Sequence, residues 1–547
     1  MPMECKSSIP DTELSGHYDY IIVGGGTAGC VLGSRLTEFL PHHRVLIIEG
    51  GPSDFTNDQV LDLRQWLTLL GGDLDYDYGT TEQPMGNSYI RHSRAKVLGG
   101  CSSHNTLISF RPFRRDMDLW VSQGADGWDF DTVMRLIDKL KNTIQRVHAR
   151  HQNQLCLDWV DACASALEIP VINDFNKTIR RDGEIKKGVG FFSIAYNPDN
   201  GYRSSASVAY IHPFLRGEEN RPNLTVVTDA WVSKVNVQND TATGINVTFK
   251  DGRNVTISPR AGGEIILSAG AVDTPRLMLL SGLGPAQQLA DVGIKVVKDI
   301  PGVGENLVDH PETIIMWELN KPVPENQTTM DSDAGVFIRR EPTGPGDTAT
   351  DVMMHCYQIP FTLNTERLGY SKIADRYAFC MTPNIPRPRS KGRLFLTSSN
   401  PEIKPSLDFR YFTDPQGYDA ATFVEGIKAA RKVAQQSPFK EWLKQEIAPG
   451  PKIQTDDDIS EYARRAAHTV YHPAGTTKMG NIFQDDKAVV DSKLRVRGVK
   501  GLRIADAGVF PDMVSINPML TVLAIGEGAA EIIASERGWK GDGAARL

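Results

Sequence analysis

The sequence predicts a mixed α/β protein (α+β overall) of two interleaved units, one wound in Rossmann fashion on a parallel sheet and one built on an antiparallel sheet. Three observations predict it. A strand, a glycine turn, a helix and a second strand follow one another near the N-terminus. A further strand, turn and helix stand near the C-terminus, and strands of alternating polarity fill the stretch between. Length agrees, since 547 residues exceed the about 250–300 at which a single core stops growing.

Tyr18–Val23 reads as a short buried strand, and Cys30–Phe39 as a helix. Between them stands Gly24-Gly25-Gly26-Thr27-Ala28-Gly29. Gly24 allows the tight turn, Gly26 lets the backbone approach a pyrophosphate, and Gly29 permits close packing of helix on strand. The helix start, at Thr27 and Ala28, offers free N–H groups to phosphate. The next strand, 44–49, ends at Glu49, whose carboxylate suits ribose hydroxyls and repels a 2′-phosphate. This context turns a weak motif into a dinucleotide site, but spacing alone does not separate NAD from FAD. Residues 501–511 give the late strand and turn, and 517–536 the late helix. Alternation over 224–238 and 392–398 predicts antiparallel strands, and Pro/Gly-rich loops are expected near 340–348 and 446–451. The resulting division is 1–160, 225–315 and 465–547 for the cofactor unit, and 161–224 with 316–464 for the substrate unit.

Composition narrows the function classes. Net charge is −7 with no basic block, which argues against nucleic acid. No apolar run reaches the about 18 residues of a membrane span, and the polar N-terminus lacks a signal-peptide core. The cysteines are scattered, odd in number and without metal spacing, so no metal and a reduced, intracellular compartment are expected. The terminal Ala545-Arg546-Leu547 is similar to a peroxisomal address; otherwise the expectation is the cytoplasm.

Further along, Arg94-Ala95-Lys96-Val97-Leu98-Gly99-Gly100-Cys101-Ser102-Ser103-His104-Asn105, then 270–285, then Tyr471-His472-Pro473-Ala474-Gly475-Thr476, Ala505-Asp506-Ala507 and Asn517-Pro518 occur in order over nearly the whole chain. In these motifs the chain resembles the glucose–methanol–choline (GMC) oxidoreductase family. The runs 95–105, 352–355, 309–312 and 469–476 resemble its choline-oxidising members in particular. The resemblance implies FAD as cofactor, with Gly99, Gly100, Ser102 and Asn105 along the flavin and Val232 at the adenine. It further implies Asp506, Ala507 and Pro518 near the phosphate and ribityl region.

The resemblance also implies that His104 carries a covalent bond to the flavin, with Thr106 two residues on. His472 and Asn517 match the catalytic pair, and His355 a further active-site histidine. An imidazole suits removal of a hydroxyl proton, whereas Asn517 does not titrate and would hold the oxygen. Which histidine is the base stays open. Glu312 matches a carboxylate facing a trimethylammonium group; at about 4 Å and an effective dielectric of about 20 the attraction is roughly 4 kcal/mol before desolvation. Trp66, Phe361 and Tyr471 are candidates for the pocket wall, and Val470 for oxygen access. Asp331 and Ser332 stand where choline-oxidising members have a tryptophan pair, which implies a wider pocket.

The implied activity is oxidation of a small alcohol, choline first, by O2 to the aldehyde and then to glycine betaine, with hydrogen peroxide released. A different amino, aryl or furan alcohol, a choline-type dehydrogenase, and a silent flavin-binding protein remain as alternatives. A homodimer is expected from the resemblance alone, since no sequence patch marks it.

Overall fold

The computed structural model describes residues 5–325, 329–340 and 351–541. The C-terminal tripeptide and 341–348 of the first predicted loop lie outside them. The anticipated N-terminal unit forms as a parallel sheet in the order Leu502–Ile504, Glu264–Leu267, Tyr20–Val23, Val45–Ile48, Leu224–Val227. Every residue of Tyr20–Val23 and Val45–Ile48 is buried. That explains their continuous Ile/Val/Leu composition, because a parallel sheet is covered on both faces.

The helix after the turn runs Thr27–Phe39, starting earlier than its apolar pattern suggests. Gly24 has φ +104, and a Cβ there would meet Ser268 backbone at 2.4 Å. A Cβ on Gly29 would stand 2.0 Å from the Gly24 carbonyl oxygen, so the helix seats on its strand only without a side chain. The C-terminal helix, Met519–Glu536, packs on Thr27–Phe39. Arg35 and the buried Glu527 pair across that contact at 2.9 Å.

The second sheet has eight strands, all antiparallel. Leu443–Ala448, Ile315–Leu319, Ala378–Asn384, Asp351–Tyr357, Ala334–Arg339 and Gly188–Phe191 follow in order, and the short Pro311–Glu312 and His468–Thr469 join at Ala378–Asn384. Helices Gln154–Leu167 and Tyr418–Ala434 pack against it.

Two expectations need correction. The run 224–238 is not one antiparallel strand: Leu224–Val227 is the outer parallel strand, and only Trp231–Gln238 pairs antiparallel, with Thr241–Thr248. Asp229, at φ +54, turns the chain between sheets. The second predicted loop begins later than its composition suggests, because Glu446–Ala448 close strand Leu443–Ala448. The strand Gly392–Phe395 is antiparallel, as alternation predicts. Among the described residues no helix is long and apolar enough to cross a membrane, and no group of metal-ligating side chains occurs.

Candidate active site

One elongated cavity runs from the glycine turn to the strand pair Pro311–Glu312/His468–Thr469. Gly24, Gly26, Thr27, Ala28, Glu49, Arg94, Gly100, His104, Asn105, Thr106 and Val232 line it, as do Asp506, Ala507, Asn517 and Pro518. So do Trp66, Glu312, His355, Phe361, Val470, Tyr471 and His472. Gly29, Val97, Gly99 and Ser102 do not; they support the wall from behind. Gly99 donates its N–H to the Gly25 carbonyl at 2.7 Å. The Ser102 hydroxyl donates to the Gly99 carbonyl at 2.7 Å and accepts the Ala206 N–H at 2.9 Å. Val97 packs with Val60 and Leu69 in a small separate core. These small residues let the 99–103 turn dock on the first turn, where a Cβ on Gly100 would lie 2.7 Å from the Gly26 Cα.

At this end the backbone does most of the work. Helix Thr27–Phe39 starts from Gly26 without a side-chain cap, leaving N–H groups for an anion. Glu49 accepts the Gly25 N–H at 2.9 Å and the Gly51 N–H at 2.8 Å. Burial pushes its carboxyl up to about 7 against those hydrogen bonds. Asp506 has a structural task that sequence does not reveal. It accepts the Gly270 N–H at 2.9 Å, the Thr274 hydroxyl at 2.6 Å and the Gly508 N–H at 2.8 Å, tying the late turn to helix Gly270–Leu280.

His104 is nearly buried. Its Nε2 stands 2.8 Å from the Leu69 carbonyl oxygen and its Nδ1 3.2 Å from the Ser93 hydroxyl. A carbonyl only accepts, so the proton sits on Nε2 and Ser93 donates to Nδ1. Burial lowers the imidazole to about 4.

The far end is assembled from side chains. His472 follows Tyr471, a non-glycine residue at φ +64. The strained turn is fixed by its neighbours: the Tyr471 N–H donates to the Thr469 hydroxyl at 2.6 Å, and the Arg94 guanidinium donates to the Tyr471 carbonyl. The His472 N–H donates to Asp309 Oδ1 at 2.9 Å, while Asp309 Oδ2 accepts the Tyr411 hydroxyl at 2.7 Å.

His310, quoted in the sequence motif but given no role there, orders the protons. Its Nε2 lies 3.2 Å from the Pro386 carbonyl and its Nδ1 2.9 Å from His472 Nδ1. The carbonyl requires a proton on His310 Nε2, which leaves His310 Nδ1 as acceptor. His472 therefore donates from Nδ1 and keeps a bare lone pair on Nε2. Burial, with the charges of His310, Arg94 and His355, holds the His472 imidazole well below its ordinary 6.5.

His355 Nδ1 faces the Tyr357 hydroxyl at 3.3 Å, and its Nε2 is buried without a partner. Asn517 Oδ1 is likewise buried without a partner. Burial, then His310, takes His355 down to about 3. Glu312 is 1% exposed, excluding a surface role. Phe361 stacks on His468 at 4.7 Å and packs against Tyr357 at 5.3 Å. Ser332 is buried, and the half-buried acid Asp331 lies by Trp66, whose indole opposes the desolvation that raises its carboxyl. Sequence reasoning missed Tyr357, His310 and His468; of these only His310, inside the Asp309–Glu312 motif, carried a signal.

The profile of GMC oxidoreductases matches residues 18–312 with its N-terminal part and 388–526 with its C-terminal part. The chain is 39% identical to choline oxidase of Arthrobacter globiformis over 95% of both chains. It is 33% identical to oxygen-dependent choline dehydrogenase of Staphylococcus haemolyticus, over 95% of this chain and 94% of the other. Among solved structures, pyridoxine 4-oxidase from Mesorbium loti superposes with a TM-score of 0.84 at 26% identity, covering 94% of this chain and 98% of that one.

Proposed function

The chain belongs to the GMC oxidoreductase family, and from that premise we propose that it oxidises choline with O2, releasing hydrogen peroxide. Betaine aldehyde hydrate is the second substrate in this reading and glycine betaine the product. The observation that carries it is a bare imidazole nitrogen on His472 and a buried carboxylate on Glu312 in the cavity that begins at the glycine turn.

The residues present fit FAD. Gly26 and Gly100 both line the cavity with backbone, and a Cβ on Gly100 would break the docking of the two turns that form it. The uncapped helix start meets phosphate, and Glu49 has lone pairs left for ribose. When bound, oxidised flavin supplies the hydride acceptor. The chain supplies the rest. His472 Nε2 takes the hydroxyl proton, and the His310–Pro386 carbonyl chain fixes its tautomer. His355, through its unpartnered Nε2, and Asn517, through its amide N–H, hold the alcohol oxygen and its developing charge. Glu312 favours a cationic head, while Trp66, Phe361 and Tyr471 form the wall and Val470 shapes the approach of O2. The cofactor unit in this reading takes in 1–160, 225–315 and 465–547 and the substrate unit 161–224 and 316–464, with two adjustments: Leu224 goes with the parallel strand Leu224–Val227, and helix Gln154–Leu167 goes with the antiparallel sheet it packs on.

His104 is the proposed point of covalent attachment. Its ring is neutral above about 4, as a nucleophile must be. Either nitrogen would give up one contact, to Leu69 or to Ser93, on bonding. Acid precipitation tests it: yellow colour in the pellet supports the link, and a colourless pellet excludes it.

A peroxide assay over choline, its aldehyde, the neutral isostere 3,3-dimethylbutan-1-ol and aryl alcohols tests the substrate. The expected result is preference for choline, lost in Glu312→Gln. Ser332 and Asp331, at positions where the resemblance implies tryptophans, favour a second reading with a bulkier alcohol. Preference for an aryl alcohol, unaffected by Glu312→Gln, would establish that one. Reduction of the flavin by choline without peroxide would establish a dehydrogenase.

A further inference from the structure

His468 is given no role by the family resemblance, yet it is the side chain nearest in charge terms to Glu312. The two residues are direct partners across the short strand pair, Glu312 against His468. Their side chains are 2% and 6% exposed, and His468 Nε2 stands 3.1 Å from Glu312 Oε1. His468 Nδ1 lies 2.9 Å from the Thr469 carbonyl oxygen, which accepts and never donates, so the ring proton is on Nδ1. A neutral His468 thus turns a bare lone pair toward a carboxylate oxygen. Both His468 Nε2 and Glu312 Oε2 lack a hydrogen-bond partner. Two acceptors at this distance in a dry wall repel unless a proton or a cation joins them.

We propose that Glu312 and His468 hold one proton between them in the ligand-free protein and release it when a quaternary ammonium group enters the cavity. His468 is then a specificity-determining positioning residue. It keeps the empty pocket electrically neutral and exposes full negative charge only to a ligand that brings its own positive charge. The inference rests on the choline reading above.

The surroundings agree. The groups facing the pair are the Thr382 hydroxyl and Cys380 thiol on strand Ala378–Asn384, Tyr357 on Asp351–Tyr357, Tyr471 and Asp309. Phe361 covers the His468 ring. Asp309, the acid in this set, disfavours a second negative charge, and the phenols and thiol are pushed further up by burial and by Glu312. Burial also raises the Glu312 carboxyl well above its ordinary value and lowers His468 to about 4, which sets the proton on the carboxyl side.

Linkage gives the sign. A cation binds the deprotonated pair, so its affinity rises about tenfold per pH unit until the pair's own pKa and then levels off. A neutral isostere shows no such rise. The test is calorimetric titration of the flavin-loaded enzyme with tetramethylammonium in buffers of different ionisation enthalpy. Release of close to one proton per cation is expected in the wild type. In His468→Gln, whose amide can donate to the carboxylate, release should fall toward zero. The rise of 1/KM for choline with pH should flatten there, while KM for 3,3-dimethylbutan-1-ol stays flat in both. Binding without proton release in the wild type overturns the inference and leaves the choline reading standing. Unchanged release in His468→Gln assigns the proton to Glu312 alone and also overturns it. Failure of the cation to bind at all overturns the choline reading and this inference together.

Discussion

At the nucleotide end, the cavity wall includes backbone of two glycine-rich runs, Gly24, Gly26, Thr27 and Ala28 and then Gly100 and Cys101, which dock on each other at Gly26 and Gly100. At the other end it is side chains from separate strands and turns: Glu312, His355, His472 and Asn517, with the His472 turn held by His310, Asp309 and Arg94. At the first end Gly24, Gly29 and Gly100 tolerate no Cβ, because their nearest neighbours are main chain. The second depends on proton positions, because its neighbours are imidazoles and carboxyls buried together. Steric change should therefore injure the first, and change of hydrogen-bonding capacity the second.

The largest effect is expected from His472→Ala, which removes the bare nitrogen. Turnover with choline should fall by about 10²–10⁴ while flavin absorbance persists; lowered flavin content with normal turnover of the flavin-loaded fraction would invert the contrast between the ends. Asn517→Ala should lower kcat by about 10²–10³, the scale of one lost donor to a developing oxyanion, measured by the same assay at saturating choline. At the backbone end, Gly29→Ala forces a Cβ within 2.0 Å of the Gly24 carbonyl oxygen. It should cost about 1–3 kcal/mol of stability, on the scale of overpacking, read by denaturant unfolding, and should lower flavin content rather than the turnover of the flavin-loaded fraction.

The smallest effect separates charge from shape at the nucleotide end. Glu49 is raised from 4.5 to about 7 by burial. The folded apoprotein then binds this proton more tightly than the unfolded chain, so stability falls as pH rises from about 4.5 through about 7. Ribose hydroxyls donate to the ionised form, so FAD rebinding to apoprotein should strengthen over the upper part of that range. Glu49→Gln should remove the pH dependence. An unchanged profile in that variant would place the titration elsewhere.

Much of this was readable from residues alone. Gly24, Gly26, Gly29 and Glu49 announce their roles because the constraint is local: the turn, the helix start and the strand end lie within one short stretch. His472, Asn517, His355 and Glu312 were found only by resemblance to a family pattern, yet they do meet in one cavity. Val97 and Ser102 were expected at the cofactor and stand behind the wall instead, since a motif marks a segment without telling which of its residues face inward. His468 left no trace in any motif, and the run 224–238 concealed a change of sheet at Asp229.

The sequence by itself determined the glycine turn, the strands that bury it and the chemical types available at the site, because backbone freedom and apolar periodicity act between near neighbours. Only the tertiary structure decided which imidazole nitrogen meets a carbonyl, which carboxyls are buried and which histidine faces Glu312. Those properties arise from burial and from carbonyls at Pro386, Leu69 and Thr469 that fix each ring's proton. Which carbonyl meets which ring is set by packing between distant segments, and no local pattern encodes it.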